Sequence, residues 1–165
     1  MPSIIPFKGI HPNPQSAGKV AVYTENMSLE EARHERDMNS MSFIHLLVPN
    51  IAFGLEVDDS QGQAFKQIQT TFRDFLAKGV LIEDSEPAFY IIEIKHGNLT
   101  QSGFWALTSL DDYFDKRIKK PESIRPEREA LILNYITHAQ LDSNPVLLTY
   151  PDNPVIDEII RQHKS

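Results

Sequence analysis

The stretch AFKQIQTTFRDFLAKG, residues 64–79, carries the clearest periodic signal in the chain. Phe65, Ile68, Phe72, Phe75 and Leu76 recur at three- and four-residue spacing, which lines them along one side of a helix as an apolar stripe. Gly79 follows as the residue that takes a left-handed conformation just past a helix end. Asp58 and Asp59 near its start and Lys78 at its end suit the helix dipole. A stripe this wide and aromatic needs an apolar surface to lie on. The runs of matching length are Phe43 to Leu47, Phe89 to Ile94 and Phe104 to Leu107, so these are expected to form a sheet beneath it.

Outward from that helix the punctuation is local and readable. Ala88 to Lys95 and Ser102 to Thr108 are strand-like, and the Gly97-Asn98 pair between them predicts a hairpin. On the N-terminal side, Ile4-Ile5-Pro6-Phe7 reads as a short strand and Lys19 to Tyr23 as another. Ser28 with Glu31 is a capping box that starts a helix running to about Met38. Ser42 to Val48, ended by Pro49, reads as a buried strand. On the C-terminal side, Ser109 caps a short helix, and Pro126 opens one through about His138. Pro145 to Tyr150 reads as a final strand, and Asn153-Pro154 opens a last helix with Val155, Ile156, Ile159 and Ile160 as its apolar side. Strands occur both in a hairpin and separated by helices. We therefore expect an α+β fold, one domain over residues 1–165, with a mixed sheet and helices packed on it.

Composition excludes several chemistries. The 165 residues include no cysteine, which removes disulfides, cysteine-ligated zinc, iron–sulfur clusters and a thiol nucleophile together. A net charge of −7 argues against a nucleic-acid partner, because phosphate binding needs clustered Lys and Arg. The longest apolar region, Phe43 to Leu55, is interrupted by His45, Pro49 and Asn50 and falls well short of the ~20 residues that span a bilayer. The opening MPSIIPFKGIHPNP lacks the basic and apolar regions of an export signal, so a cytoplasmic location is expected.

No Gly-rich phosphate loop, nucleophile elbow, zinc-protease helix or EF-hand loop occurs. Glu30 and His34 share a helix face, as metal ligands would, yet Arg33 and Arg36 beside them make a solvated face the simpler reading. Glu93 and His96 read as surface groups. No metal and no cofactor are expected. His45 interrupts an apolar run, which fits a hydrogen-bonded core histidine or, less simply, a ligand-facing acid–base. Trp105, the single tryptophan, is expected in the core.

The order of short motifs resembles the N-terminal part of the bacterial and archaeal family called domain of unknown function 1015. The matching pieces are Ile5-Pro6-Phe7-Lys8, Glu30-Glu31-Ala32-Arg33, Ser42-Phe43-Ile44-His45 with Pro49, Gly79-Val80-Leu81 with Asp84, and Pro87-Ala88-Phe89-Tyr90. Ser109-Leu110 with Asp112-Tyr113, Ile118-Lys119 and Pro145-Val146 through Tyr150 follow in the same order. Tyr23-Thr24-Glu25-Asn26 stands where the family carries Pro-Tyr-Asp-Val. Pro121-Glu122-Ser123-Ile124 stands where it carries His-Glu-x-Thr, and Leu131 and Ile132 fall where an Asp-Arg pair is expected. The ParB-like later half of the family, with its Asp-Gly-His-His-Arg-Tyr segment, has no counterpart in this sequence.

The resemblance implies no settled activity. Its ParB-like half and the association of family members with serine-biosynthesis genes imply phosphate transfer, or a role with phosphoserine, for longer relatives. With the polar motifs replaced, the expectation for this chain is a non-catalytic or degenerate domain that binds a small ligand or a protein partner. The alternative is an enzyme acting on a small phosphorylated metabolite. The resemblance marks Lys8, His45, Glu122 and Arg125 as the surviving ligand-binding candidates. A surface that the later half would cover in longer relatives leads us to expect a homodimer.

Overall fold

A computed structural model describes residues 2–24, 27–47, 63–119, 125–143 and 145–164. The fold is α+β, and the chain divides into two compact units. One comprises Ile10–Glu83 and Ile124–Asp142, the other Met1–Gly9, Asp84–Ser123 and Ser143–Ser165.

The first of these is built around the striped helix. Ile10–Pro12 is a strand, followed by a single helical turn, α1, at Ala17–Val20. Helix α2 spans Leu29–Met38 and begins with the expected capping box: Ser28 Oγ accepts the Glu31 N–H while the Glu31 carboxylate accepts the Ser28 N–H at 2.8 Å. The Ser28 hydroxyl also donates to that carboxylate at 2.7 Å, and this bond, followed by the one from the Ser28 N–H, holds the Glu31 carboxyl below its ordinary value. Phe43–Leu46 forms a 3-10 turn, and α3 spans Gln63–Ala77. Asp58, Asp59 and Val48 lie outside the described residues.

Helix α3 ends in a Schellman arrangement. Gly79 takes φ +65°, its N–H bonds to the Leu76 carbonyl, and the Val80 N–H reaches back to Phe75 at 2.9 Å. Val80 and Phe75 are both buried, so the stop is also an apolar contact. Leu81–Glu83 then pairs antiparallel with Ile10–Pro12. Helix α5, Pro126–Ala139, starts on its proline and ends at Gln140, which adopts the left-handed region at φ 55°. Phe65, Ile68 and Phe75 are buried with Val20, Leu46, Val80, Leu81, Tyr135 and Ala139, and Phe72 and Leu76 are half-buried against them. The Tyr135 hydroxyl donates to the Leu46 carbonyl at 3.0 Å, and Phe65 meets the Tyr135 ring edge-on.

The other unit joins small ladders to two helices. Ile4–Ile5 pairs antiparallel with Leu107–Thr108. The expected hairpin forms from βA, Tyr90–His96, and βB, Leu99–Trp105, with Gly97 at φ +57° as the first residue of the two-residue turn. Helix α4, Leu110–Phe114, is capped by Ser109 Oγ, which accepts the Asp111 N–H. Helix α6, Pro154–His163, is capped by Asn153 Oδ1, which accepts the Val155 N–H.

Several expectations are corrected. Among the described residues the strands pair as three two-stranded antiparallel sheets rather than one mixed sheet. Lys19 to Tyr23 holds no strand, because one helical turn suffices to place Val20, 1% exposed, in the core. Ser42 to Leu47 keeps the alternating burial of a strand, yet its backbone bonds are satisfied locally, His45 N–H to Ser42 and Leu47 N–H to Ile44. Pro145 to Tyr150 is not a strand, and Val146 and Leu147 are exposed. Within the helical unit, the α3 stripe packs on α5, the 3-10 turn and Leu81. Trp105 is 45% exposed instead of buried.

Phe75→Ala should cost about 3–5 kcal/mol, through lost transfer energy and an unfilled cavity. Phe72→Ala, removing a half-buried ring, should cost less, and exposed Glu30→Ala should change stability by no more than about 0.5 kcal/mol. Thermal or urea unfolding of the three variants checks that order. A neutral Phe75→Ala would show that the stripe faces another way.

Candidate functional site

In the unit that holds the hairpin, three of the quoted motifs meet at one hydroxyl. The Phe7 backbone bridges Ala88 in both directions, at 2.9 and 3.1 Å. This brings Gly9 over the first residue of βA, where the Gly9 N–H donates to the Tyr90 hydroxyl at 2.6 Å. That hydroxyl donates to Asp84 Oδ2 at 2.5 Å, with the Phe7 carbonyl 3.3 Å away as a second acceptor. The Asp84 N–H closes the loop on the Gly9 carbonyl at 3.0 Å. The Phe7 and Tyr90 rings lie 5.0 Å apart. A Cβ at Gly9 would sit 2.6 Å from the Tyr90 ring and hydroxyl, so the close approach requires glycine. The bond to Asp84, followed by desolvation, raises the Tyr90 phenol above its ordinary value, and the Gly9 N–H pulls the other way. Lys8 is exposed, between Phe7 and Gly9 in the chain.

A second carboxylate ties the N-terminal strand to α4. Asp112 is 2% exposed. It accepts the Ser3 N–H at 2.6 Å and an Arg117 N–H at 2.8 Å, while Arg117 also pairs with Asp115. The Ser3 N–H, more than the guanidinium, holds the Asp112 carboxyl below the usual range against the opposing effect of burial.

The same unit has a shallow recess of about 220 Å³ lined by Ser102, Asp157, Ile160, Arg161 and Lys164. Its cations are already engaged. Lys164 donates to Ser102 Oγ at 2.9 Å and pairs closely with Glu93, and Arg161 grips both carboxylate oxygens of Glu158. Glu93, which also pairs with Lys95, is thereby held below its ordinary value, chiefly by Lys164. It is an ion-pair partner, where the sequence suggested a plain surface group.

The four candidates fall as follows. Lys8 belongs to the hairpin unit. His45 and Arg125 belong to the helical unit, and Glu122 lies outside the described residues. His45 is half-buried, and its Nε2–H donates to the Asn39 carbonyl at 3.0 Å, which leaves Nδ1 as the ring's acceptor. Arg125 is exposed at the N-cap of α5, with no side-chain cap bond. Among the described residues no three His, Asp or Glu side chains gather as metal ligands would, and no helix is long and apolar enough to cross a membrane. Asp84, Tyr90 and Asp112 all stand in the quoted motifs, but no spacing rule links Tyr90 to Gly9, 81 positions away, or Asp112 to Ser3, 109 away, so these contacts were out of reach of the sequence.

The family described as "Protein of unknown function (DUF1015)" matches residues 4–165, and the chain is a member of it. No curated protein and no solved structure matches the chain.

Tyr90→Phe strips the donor from Asp84 and the acceptor from Gly9, so it should lower the melting temperature in a thermal melt beside wild type. Asp112 gives a pH signature. Its folded-state value is depressed, so its contribution is complete above the unfolded value of about 3.9 and is lost as pH falls through the folded one. The stability gap between wild type and Asp112→Asn should be constant near neutrality and narrow below about pH 4, as read by acid unfolding of both proteins. A gap that is unchanged at low pH would deny Asp112 a charged role.

Proposed function

We propose that residues 1–165 act as one cytoplasmic, non-catalytic domain that binds a partner, and that the partner is a second copy of the chain. The observation that supports this reading is the open apolar side of the hairpin: Ile94, Leu99 and Trp105 are 55%, 73% and 45% exposed. Large side chains at such positions contribute to binding only when something covers them. The polar groups of the matched motifs fit a binding role better than a catalytic one, because Tyr90 and Asp84 bond to each other and to backbone, and Asp112 bonds to the Ser3 backbone and Arg117.

The competing reading is an enzyme acting on a small phosphorylated metabolite, or a small-ligand site, for which the sequence offers Lys8, His45, Glu122 and Arg125 as candidates. Light scattering at high micromolar concentration should give the mass of a dimer. A thermal-shift screen against serine, phosphoserine and nucleotides should give no saturable shift, where a ligand at 100 times its Kd would add about 2.7 kcal/mol of stability. A saturable shift that Lys8→Ala and His45→Ala abolish would replace the self-association reading with the ligand or enzyme one.

A further inference from the structure

We infer that two copies join through the outer edge of βB, pairing antiparallel about Ser102 to make one four-stranded sheet; this rests on the self-association reading above. The register of the hairpin decides which atoms are available. A two-residue turn is flanked by a hydrogen-bonded pair, here His96 and Leu99. Bonded and unbonded pairs alternate, so Leu99, Gln101, Gly103 and Trp105 turn their backbone groups toward βA. Thr100, Ser102 and Phe104 turn theirs outward. Among the described residues no strand pairs with that edge. A hairpin of two strands is marginal alone, and a third and fourth strand joined to one edge stabilise it.

The two edges of the hairpin differ in the way that decides between them. Natural edges are protected by charge or proline. βA carries Glu93 and Lys95, and pairing it with its own copy over its full length would set Glu93 against the partner's Glu93, a like-charge contact. βB, with the sequence LTQSGFW, has no charge and no proline. The antiparallel register that overlaps its whole length places Ser102 opposite the partner's Ser102 and Thr100 opposite the partner's Phe104, all with backbone groups turned toward each other. It also places Leu99 opposite the partner's Trp105, twice by symmetry. Those are the exposed apolar side chains of the open face, and aromatic–aliphatic cross-strand pairs are favourable. The opposite face is already occupied within the chain, with Lys164 on Ser102 and Tyr150 against Phe104. The new contact therefore has to come through the edge and the open face.

The test uses the full chain and three variants. Ser102→Pro removes an outward N–H while leaving the hairpin's own bonds, and Lys95→Pro does the same on βA. Across a bonded antiparallel pair the two Cα atoms are about 5.5 Å apart, within the roughly 4.4–6.8 Å that a disulfide spans. A single Ser102→Cys in this cysteine-free chain reports the register directly. We expect wild type and Lys95→Pro to sediment as dimers, Ser102→Pro as a monomer, and oxidised Ser102→Cys to run as a covalent dimer. A dimer that survives Ser102→Pro, with no crosslink through Cys at 102, overturns the βB edge and leaves self-association standing. A wild-type chain that stays monomeric at high micromolar concentration overturns both. If Ser102→Pro does not fold, as circular dichroism would show, the crosslink alone decides.

Discussion

Ladders of two and three residues cannot hold a chain together by their own hydrogen bonds, and that shortage governs this structure. Ile4–Ile5 with Leu107–Thr108 and Ile10–Pro12 with Leu81–Glu83 are each too brief to be stable alone. Side chains that reach distant backbone make up the deficit. The Asp112 carboxylate holds Ser3, 109 residues away in sequence, and the Tyr90 hydroxyl holds Gly9, 81 away. In the other unit the Tyr135 hydroxyl holds Leu46, 89 away. Each bond joins a helix or strand to a segment whose own ladder is brief or, at Leu46, absent. A buried polar group left without such a partner would cost more than an average bond contributes, so the three anchors resist loss individually.

The helical unit shows how local chemistry and long-range packing divide the work. Capping at Ser28, the glycine stop after α3 and the proline start of α5 are set by residues within one turn of the element they bound. What these helices pack against is settled elsewhere. Tyr135, 1% exposed, joins Phe65 and Leu46 because its ring is apolar while its hydroxyl finds a carbonyl inside.

That division also explains what the sequence made legible. Both long apolar stripes, the capping box, the hairpin with its Gly97-Asn98 turn and the Asn153-Pro154 start were readable, since each depends on neighbours a few positions apart. The segment Phe43–Leu46 was not, because a four-residue apolar run has the same alternating burial as a 3-10 turn or as a strand. Of the surfaces expected under the stripe, Phe43–Leu46 does pack against it, as a 3-10 turn, whereas Tyr135 and Ala139 of α5 gave no local sign that they would. At the candidate site, the residue types were visible in the motifs Phe7-Lys8, Asp84 and Phe89-Tyr90, but their convergence depends on the Phe7–Ala88 pairing. The Lys164–Glu93 pair had no signal at all, for it joins the end of α6 to the middle of a strand.

The absence of room at Gly9 has an evolutionary reading. Any side chain there would collide with the Tyr90 ring, whereas a smaller residue at 90 would leave the space empty and the Gly9 N–H without its acceptor. The two positions are therefore not free to vary independently. A lineage that lost the tyrosine first could then accept a larger residue at 9, while one that lost the glycine first would pass through a clash. Drift at this pair has a permitted order, and once both have changed, restoring Tyr90 alone would no longer restore the anchor.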